Sequence, residues 1–238
     1  MVKDDLEIPK HIGIICDGNR RFAHTLGEVV WFGHEQGAKK IEEVLGWCKE
    51  LGINSLTLWL FSTENFSRTK EEIETIFKIG ENFGKRFLED KQIYENQIKF
   101  KFIGDLSLFP ENIQNLIKQM EEKTKEHTKF NFNIAAGYGG KQEIIDAAKL
   151  IAKKIELGEL KSEHITKELF EAHMYSAAVP EVDLVIRTSG ELRTSGFLMW
   201  KTDYAEYFFS EKYWPEFTKE DFVRAIMSYS ARKRRYGK

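Results

Sequence analysis

The chain has only two cysteines among its 238 residues, Cys16 and Cys48, and they share no Cys-x-x-Cys spacing. A disulfide framework and a zinc knuckle are both excluded as organising devices, and a reducing cytoplasm is the expected setting. Net charge is nearly absent as well. The 36 Lys and Arg against 38 Asp and Glu leave −2, so the overall balance does not point to nucleic acid and any anion site must be local. No apolar run approaches the roughly 18 residues of a membrane span, and Met1-Val2-Lys3-Asp4-Asp5 does not open like a signal peptide. There is no Ser/Gly-rich linker and no internal repeat, so one domain over residues 1–238 is expected. Also missing are the Gly-x-x-x-x-Gly-Lys-Ser/Thr loop, a Gly-x-Gly-x-x-Gly after the first strand and a Gly-x-Ser-x-Gly elbow. Nucleotide triphosphatases, dinucleotide dehydrogenases and serine hydrolases thereby lose their usual support.

What is present is an alternation of short apolar runs with helical patterns. Ile12 to Cys16 reads as a buried strand ending at the turn Asp17-Gly18-Asn19. Ala38, Ile41, Val44, Leu45 and Cys48 recur at helical spacing until Gly52, and Leu56 to Phe61 supplies a second buried strand. Thr69 with Glu72 reads as a capping box ahead of Ile73, Ile76, Phe77, Gly80, Phe83 and Phe87. Further strands are expected at Phe100 to Ile103, at Phe130 to Ile134 with two unlike faces, at Leu184 to Ile186 and at Tyr207 to Phe209. Helices are expected after Pro110, through Ile144, Ile145, Ala148 and Ile151, and from about Lys219. The fold class is therefore α/β, a mostly parallel sheet of about six strands flanked by helices, because parallel strands need crossover connections.

In such sheets ligands sit beyond the carboxyl ends of the strands. Those ends here are Asp17 to Arg21, Ser62 to Arg68, Gly104-Asp105, Gly137 to Gly140, and Arg187 onward. Asp17-Gly18-Asn19-Arg20-Arg21 joins a carboxylate, a permissive glycine and two guanidiniums; alone it is a turn or a diphosphate cradle, with Asp17 a candidate Mg²⁺ ligand. Arg187 directly follows an apolar strand, where a charge is costly unless an anion or carboxylate meets it, and Thr188, Ser189, Arg193, Thr194 and Ser195 follow. Ser62-Thr63-Glu64-Asn65 reads equally as a cap, Glu72 as half of its capping box, and His34 as an exposed histidine or an acid at a leaving group. Asp17 also has the placement of a phosphatase nucleophile, which keeps that rival open.

Taken together, these residues resemble the cis-prenyltransferases, the family of undecaprenyl and dehydrodolichyl diphosphate synthases. The resemblance rests on His11 to Ala23, on Gly33-His34-x-x-Gly37, on Leu60 to Phe66 with Arg68 and Glu72, on Arg187 to Ser195 with Glu206 and Trp214-Pro215, and on Arg235-x-Gly237. It implies a single domain with a hydrophobic tunnel, and an enzyme that condenses isopentenyl diphosphate with an allylic prenyl diphosphate to make a cis-polyprenyl diphosphate. Gly18, Asn19, Arg20 and Arg21 would cradle the allylic diphosphate, with Phe22 touching the substrate beside them, and Arg187, Arg193 and Ser195 would hold the isopentenyl diphosphate. Asp17, His34 and Asn65 would be catalytic, with Ser62, Phe66 and Arg68 also touching substrate. Mg²⁺ would lie on Asp17, with Glu206 close by from the same or a neighbouring subunit. Arg235 and Gly237 would reach a partner's site, which implies a homodimer.

One position departs from the pattern. An arginine usually stands four residues before the family's histidine, and here that residue is Val30. A redirected acceptor or product, or a noncatalytic partner subunit, is the alternative this raises. The tail Arg232-Lys233-Arg234-Arg235 is a solvated end or a peripheral membrane contact rather than a nucleic-acid patch.

Overall fold

The computed structural model of the chain describes residues 6–232. Along it run β1 (His11–Ile15), α1 (Asn19–Thr25), α2 (Val30–Leu51), β2 (Ser55–Ser62), α3 (Lys70–Glu89), α4 (Lys91–Glu95), β3 (Ile98–Ile103), α5 (Glu111–Thr124), β4 (Phe130–Tyr138), α6 (Gly140–Glu156), α7 (Lys167–Glu171), β5 (Leu184–Arg187), β6 (Glu206–Phe209) and α8 (Lys219–Ser230). The six strands form one sheet in the order β3-β4-β2-β1-β5-β6, and every pairing is parallel. All five residues of β1 are buried, as a central strand covered on both faces requires.

Alternate residues feed two cores. Ile12 and Ile14 pack with Leu56, Leu58, Leu184 and Ile186 beneath α2, α3 and α8, whereas Ile15 and Val185 face Tyr138, Val179 and Phe197 on the other side. Gly13 belongs to the second face, where a Cβ would come within 2.8 Å of the Phe197 ring. Truncating a side chain such as Leu56, fully buried in the first core, would cost about 2–5 kcal/mol. Among the described residues no helix is long and apolar enough to cross a membrane.

The two unlike faces of β4 are both largely buried: Asn133 donates to Thr57 Oγ1 at 3.0 Å, and Thr57 meets His11 Nε2 at 2.8 Å, so a polar chain threads three strands inside the sheet. Two expectations need correction. On α6 the buried face is Gly140, Glu143, Ala147 and Ile151, while Ile145 and Ala148 turn outward. The aliphatic periodicity pointed the wrong way because buried Glu143 is satisfied by the Tyr138 hydroxyl at 2.5 Å and by the Ser176 N–H at 2.7 Å. At α3, Thr69 accepts the Glu72 N–H at 3.3 Å, but the Glu72 carboxylate does not return the bond. It turns to the cations described next.

Candidate functional site

Beyond the carboxyl ends of β1, β2 and β5 opens a polar cleft of about 750 Å³. The chain enters it through Gly18, whose φ of 103° suits glycine and whose added Cβ would strike Tyr213 at 2.7 Å. Asn19 starts α1 and is clamped by α2. A Cβ on Gly33 would lie 2.0 Å from the Asn19 carbonyl oxygen, and one on Gly37 would lie 2.3 Å from Asn19 Oδ1. That close approach is why two glycines flank His34 at this spacing. Trp214 Nε1 donates to the Gly37 carbonyl at 2.8 Å and secures the same corner from the C-terminal side.

Asp17 is the cleft's central carboxylate. Arg187 Nη2 donates to its Oδ2 at 2.9 Å and Arg21 Nη2 to its Oδ1 at 3.2 Å. Burial by itself raises the Asp17 pKa, but the Arg187 bond and charge, with Arg21 and Ser189, outweigh it and hold the carboxyl below its ordinary value. Arg187 also donates through Nη1 to Ser195 Oγ at 2.9 Å, and Arg21 donates to Ser189 Oγ at 2.7 Å. Ser189 and Ser195 both have positive φ, 79° and 52°. Each left-handed serine costs about 1–3 kcal/mol, and each is held where an arginine needs its hydroxyl. Arg187 Nε is buried with no hydrogen-bond partner among the described residues, an orphan donor that an anion would satisfy.

On the opposite wall one carboxylate oxygen gathers two guanidiniums and an imidazole from three segments. Glu72 Oε1 accepts from Arg68 Nη1 at 3.0 Å, meets His34 Nε2 at 3.3 Å and lies 3.9 Å from Arg20 Nε. Burial lowers the His34 pKa, Glu72 opposes that, and the Arg68 and Arg20 charges add to it, so the ring sits below its ordinary value. A neutral His34 donating through Nε2 to Glu72 presents the lone pair of Nδ1. Ser62 and Asn65 meet in a reciprocal cap, the Ser62 N–H donating to Asn65 Oδ1 at 3.0 Å.

Beside the cleft lies an apolar cavity of about 190 Å³ walled by α2, α3, α5 and the central strands, with Ile76, Phe77, Phe83 and Phe87 from α3. Cys16, Asn19, His34, Leu60, Phe61 and Ile76 belong to both linings. The Cys16 thiol, raised by burial and by the Asp17 charge, stays protonated at this junction. A ligand with a charged head and an apolar tail would fit across it.

Of the residues expected at the site, Asp17, Gly18, Asn19, Arg20, Arg21, His34, Ser62, Asn65, Arg68, Arg187 and Ser195 line the cleft. Phe22 instead stacks on Phe32, and Phe66 packs against Phe61, Phe77 and Phe109 behind the wall. The exposed Arg193 guanidinium pairs with Glu191. Glu206 is not near Asp17 within this chain. It begins β6 opposite Leu184, three residues and about 10 Å below the level of Arg187, and is paired with Arg232 at 2.5 Å. Arg235 and Gly237 lie outside the described residues. Val30 opens α2 and is not part of the cleft lining. His24, Trp59 and Tyr213 were not anticipated: the first two line the cleft, and Arg21 sits 5.8 Å from the Tyr213 ring centroid. Only His24, four residues beyond Arg20 on α1, left a signal in the sequence.

Comparison with known proteins follows the same lines. Residues 15–237 match the family model described as "Putative undecaprenyl diphosphate synthase". The chain is 49% identical over 241 residues to the geranylgeranyl-diphosphate-specific tritrans,polycis-undecaprenyl-diphosphate synthase of Methanocaldococcus jannaschii, covering 99% of this chain and 84% of that protein. It is 44% identical to the isoprenyl transferase of Thermus thermophilus, over 97% of this chain and 89% of that one. Among solved structures, lavandulyl diphosphate synthase from Lavandula x intermedia, in complex with dimethylallyl diphosphate, superposes with a TM-score of 0.91 at 34% identity, covering 97% of this chain and 99% of that chain.

Proposed function

The chain belongs to the undecaprenyl diphosphate synthase family and is a cis-prenyltransferase, and from that premise we propose that it condenses isopentenyl diphosphate repeatedly with an allylic diphosphate to build a cis-polyprenyl diphosphate. One observation carries the reading: six residues line both the arginine-rich cleft and the apolar cavity, so one ligand can place its diphosphate in the first and its hydrocarbon in the second. The relatives named for geranylgeranyl diphosphate support a twenty-carbon primer and a tritrans,polycis-undecaprenyl product. Their names equally favour a catalytic chain over a noncatalytic partner subunit.

Departure of the allylic diphosphate develops negative charge on its bridging oxygen. Arg20, Arg21 and Arg68 stand ready to stabilise it, and the cleft needs no covalent nucleophile. Arg187 and Ser195 grip the second diphosphate, where the orphan Nε of Arg187 finds its acceptor. His34, through the lone pair of Nδ1, and Asn65 are the groups suited to handling the proton lost when the new double bond forms. Among the described residues no three His, Cys, Asp or Glu side chains cluster as a metal cage. Each Asp17 oxygen accepts one guanidinium and keeps a further lone pair, so this carboxylate could still give one ligand to Mg²⁺, which takes one or two carboxylates and completes its shell with phosphate oxygens and water. Bound there, the ion would neutralise diphosphate charge.

The test supplies purified protein and Mg²⁺ with labelled isopentenyl diphosphate and ten-, fifteen- or twenty-carbon allylic diphosphates, and weighs the products by mass spectrometry. Growth in five-carbon steps, fastest from the twenty-carbon primer and abolished by Asp17→Ala, is expected. Phosphate release without isopentenyl diphosphate would favour the phosphatase reading instead.

A further inference from the structure

Glu72 holds a place that helix capping alone does not explain. As the third residue of α3 its carboxylate would ordinarily return a hydrogen bond to the Thr69 N–H, as Asp221 does for Thr218 at the start of α8. Here it leaves the backbone, and one oxygen holds Arg68 and His34 at hydrogen-bond distance with Arg20 Nε 3.9 Å away in charge contact. These three come from α1, from α2 and from the turn before α3, and all three line the cleft, whereas Glu72 does not. The side chain is only 13% exposed, beside 12% for His34 and 22% for Arg68, so these two contacts are not solvated surface pairs, whereas Arg20, at 52%, is the exposed and longer-range member of the set.

The Arg20 and Arg68 guanidiniums face one cleft and repel each other, and the neutral His34 ring is oriented by its Nε2 contact with Glu72. Without an anion behind them they would swing apart toward water. Resting on the reading of this cleft as the seat of the allylic diphosphate, we propose that Glu72 is a positioning residue: from behind the wall it gathers Arg20, Arg68 and His34 into one preorganised set aimed at the leaving diphosphate. It touches no substrate. Its effect falls on the transition state, where charge develops on the departing oxygens and fixed donors count most. Ground-state affinity is spread over the Asp17 side of the cleft and the apolar cavity and depends on Glu72 far less.

The test compares wild type, Glu72→Gln and Glu72→Asp in kcat, in KM for the allylic diphosphate and in thermal unfolding midpoint. Glu72→Gln is expected to lose about a hundredfold in kcat with KM within threefold, at an unfolding midpoint close to wild type. Glu72→Asp, which keeps the charge on a shorter arm, is expected to recover at least tenfold of that loss. A kcat within twofold of wild type in Glu72→Gln, a rise in KM without loss of kcat, or a kcat loss matched by loss of folded protein in both variants would overturn the proposal. Wild-type protein that condenses no allylic diphosphate would sink the reading of the cleft and this inference together; condensation with an indifferent Glu72→Gln sinks only the latter.

Discussion

His11 shows what a single buried residue contributes and when. Its Nδ1 lies 2.9 Å from the Pro180 carbonyl and its Nε2 meets Thr57, and burial pushes its pKa down to about 4 from 6.5 despite those carbonyls. The folded chain therefore binds fewer protons here than the unfolded chain between pH 6.5 and 4. Stability is fully present above about pH 6.5 and lost as pH falls through 4, by about 3 kcal/mol in all. Urea unfolding across that range should show the slope, and His11→Gln should flatten it; an unchanged slope would assign the acid sensitivity elsewhere. Asp17 and Arg187 were legible at this scale, because a charge straight after an apolar strand has to meet a counter-charge. Glu72 was not, since a carboxylate three residues after a threonine has an adequate local explanation and nothing in sequence spacing says which way it turns.

Elements were more legible than the faces they present. Strand ends are marked by Asp17-Gly18 and Arg187, and the helix stop by Gly52 in the left-handed region at φ 77°. The face of α6 was obscured by a glutamate that is buried because a tyrosine 2.5 Å away satisfies it. α3 carries a prediction of its own. Gly80 lines the apolar cavity, and a Cβ there would meet nothing within 4 Å, so no packing contact demands glycine. Glycine inside a helix costs about 1 kcal/mol relative to alanine. Gly80→Leu is therefore expected to leave the unfolding midpoint unchanged or raised while shortening the polyprenyl product, read by mass spectrometry. Products of unchanged length would mean that the chain does not run along this helix.

At the scale of the whole molecule, sheet order explains which distant segments meet. β1 lies between β2 and β5, so Arg187 reaches Asp17 across 170 positions of sequence. The same order leaves Glu206 on the outer strand, away from Asp17 of its own chain, so of the two expected sources the neighbouring subunit is the one left. If Glu206 serves a metal, a second copy has to bring it. The expected solution mass is accordingly twice the chain's 27.8 kDa, and light scattering on the eluted protein at working concentration checks it; a monomer active at full rate would remove Glu206 from the chemistry.

The shared collar of Cys16, Asn19, His34, Leu60, Phe61 and Ile76 has a kinetic consequence. On the proposed reaction, units would join on the cleft side of this collar and accumulate beyond it, so a growing tail would be extruded away from the bond-forming atoms. Successive cycles would then present the same chemistry whatever the tail's length, and termination would be decided remotely, when the tail runs out of room. Such an arrangement yields a narrow cut-off in product size rather than a geometric distribution.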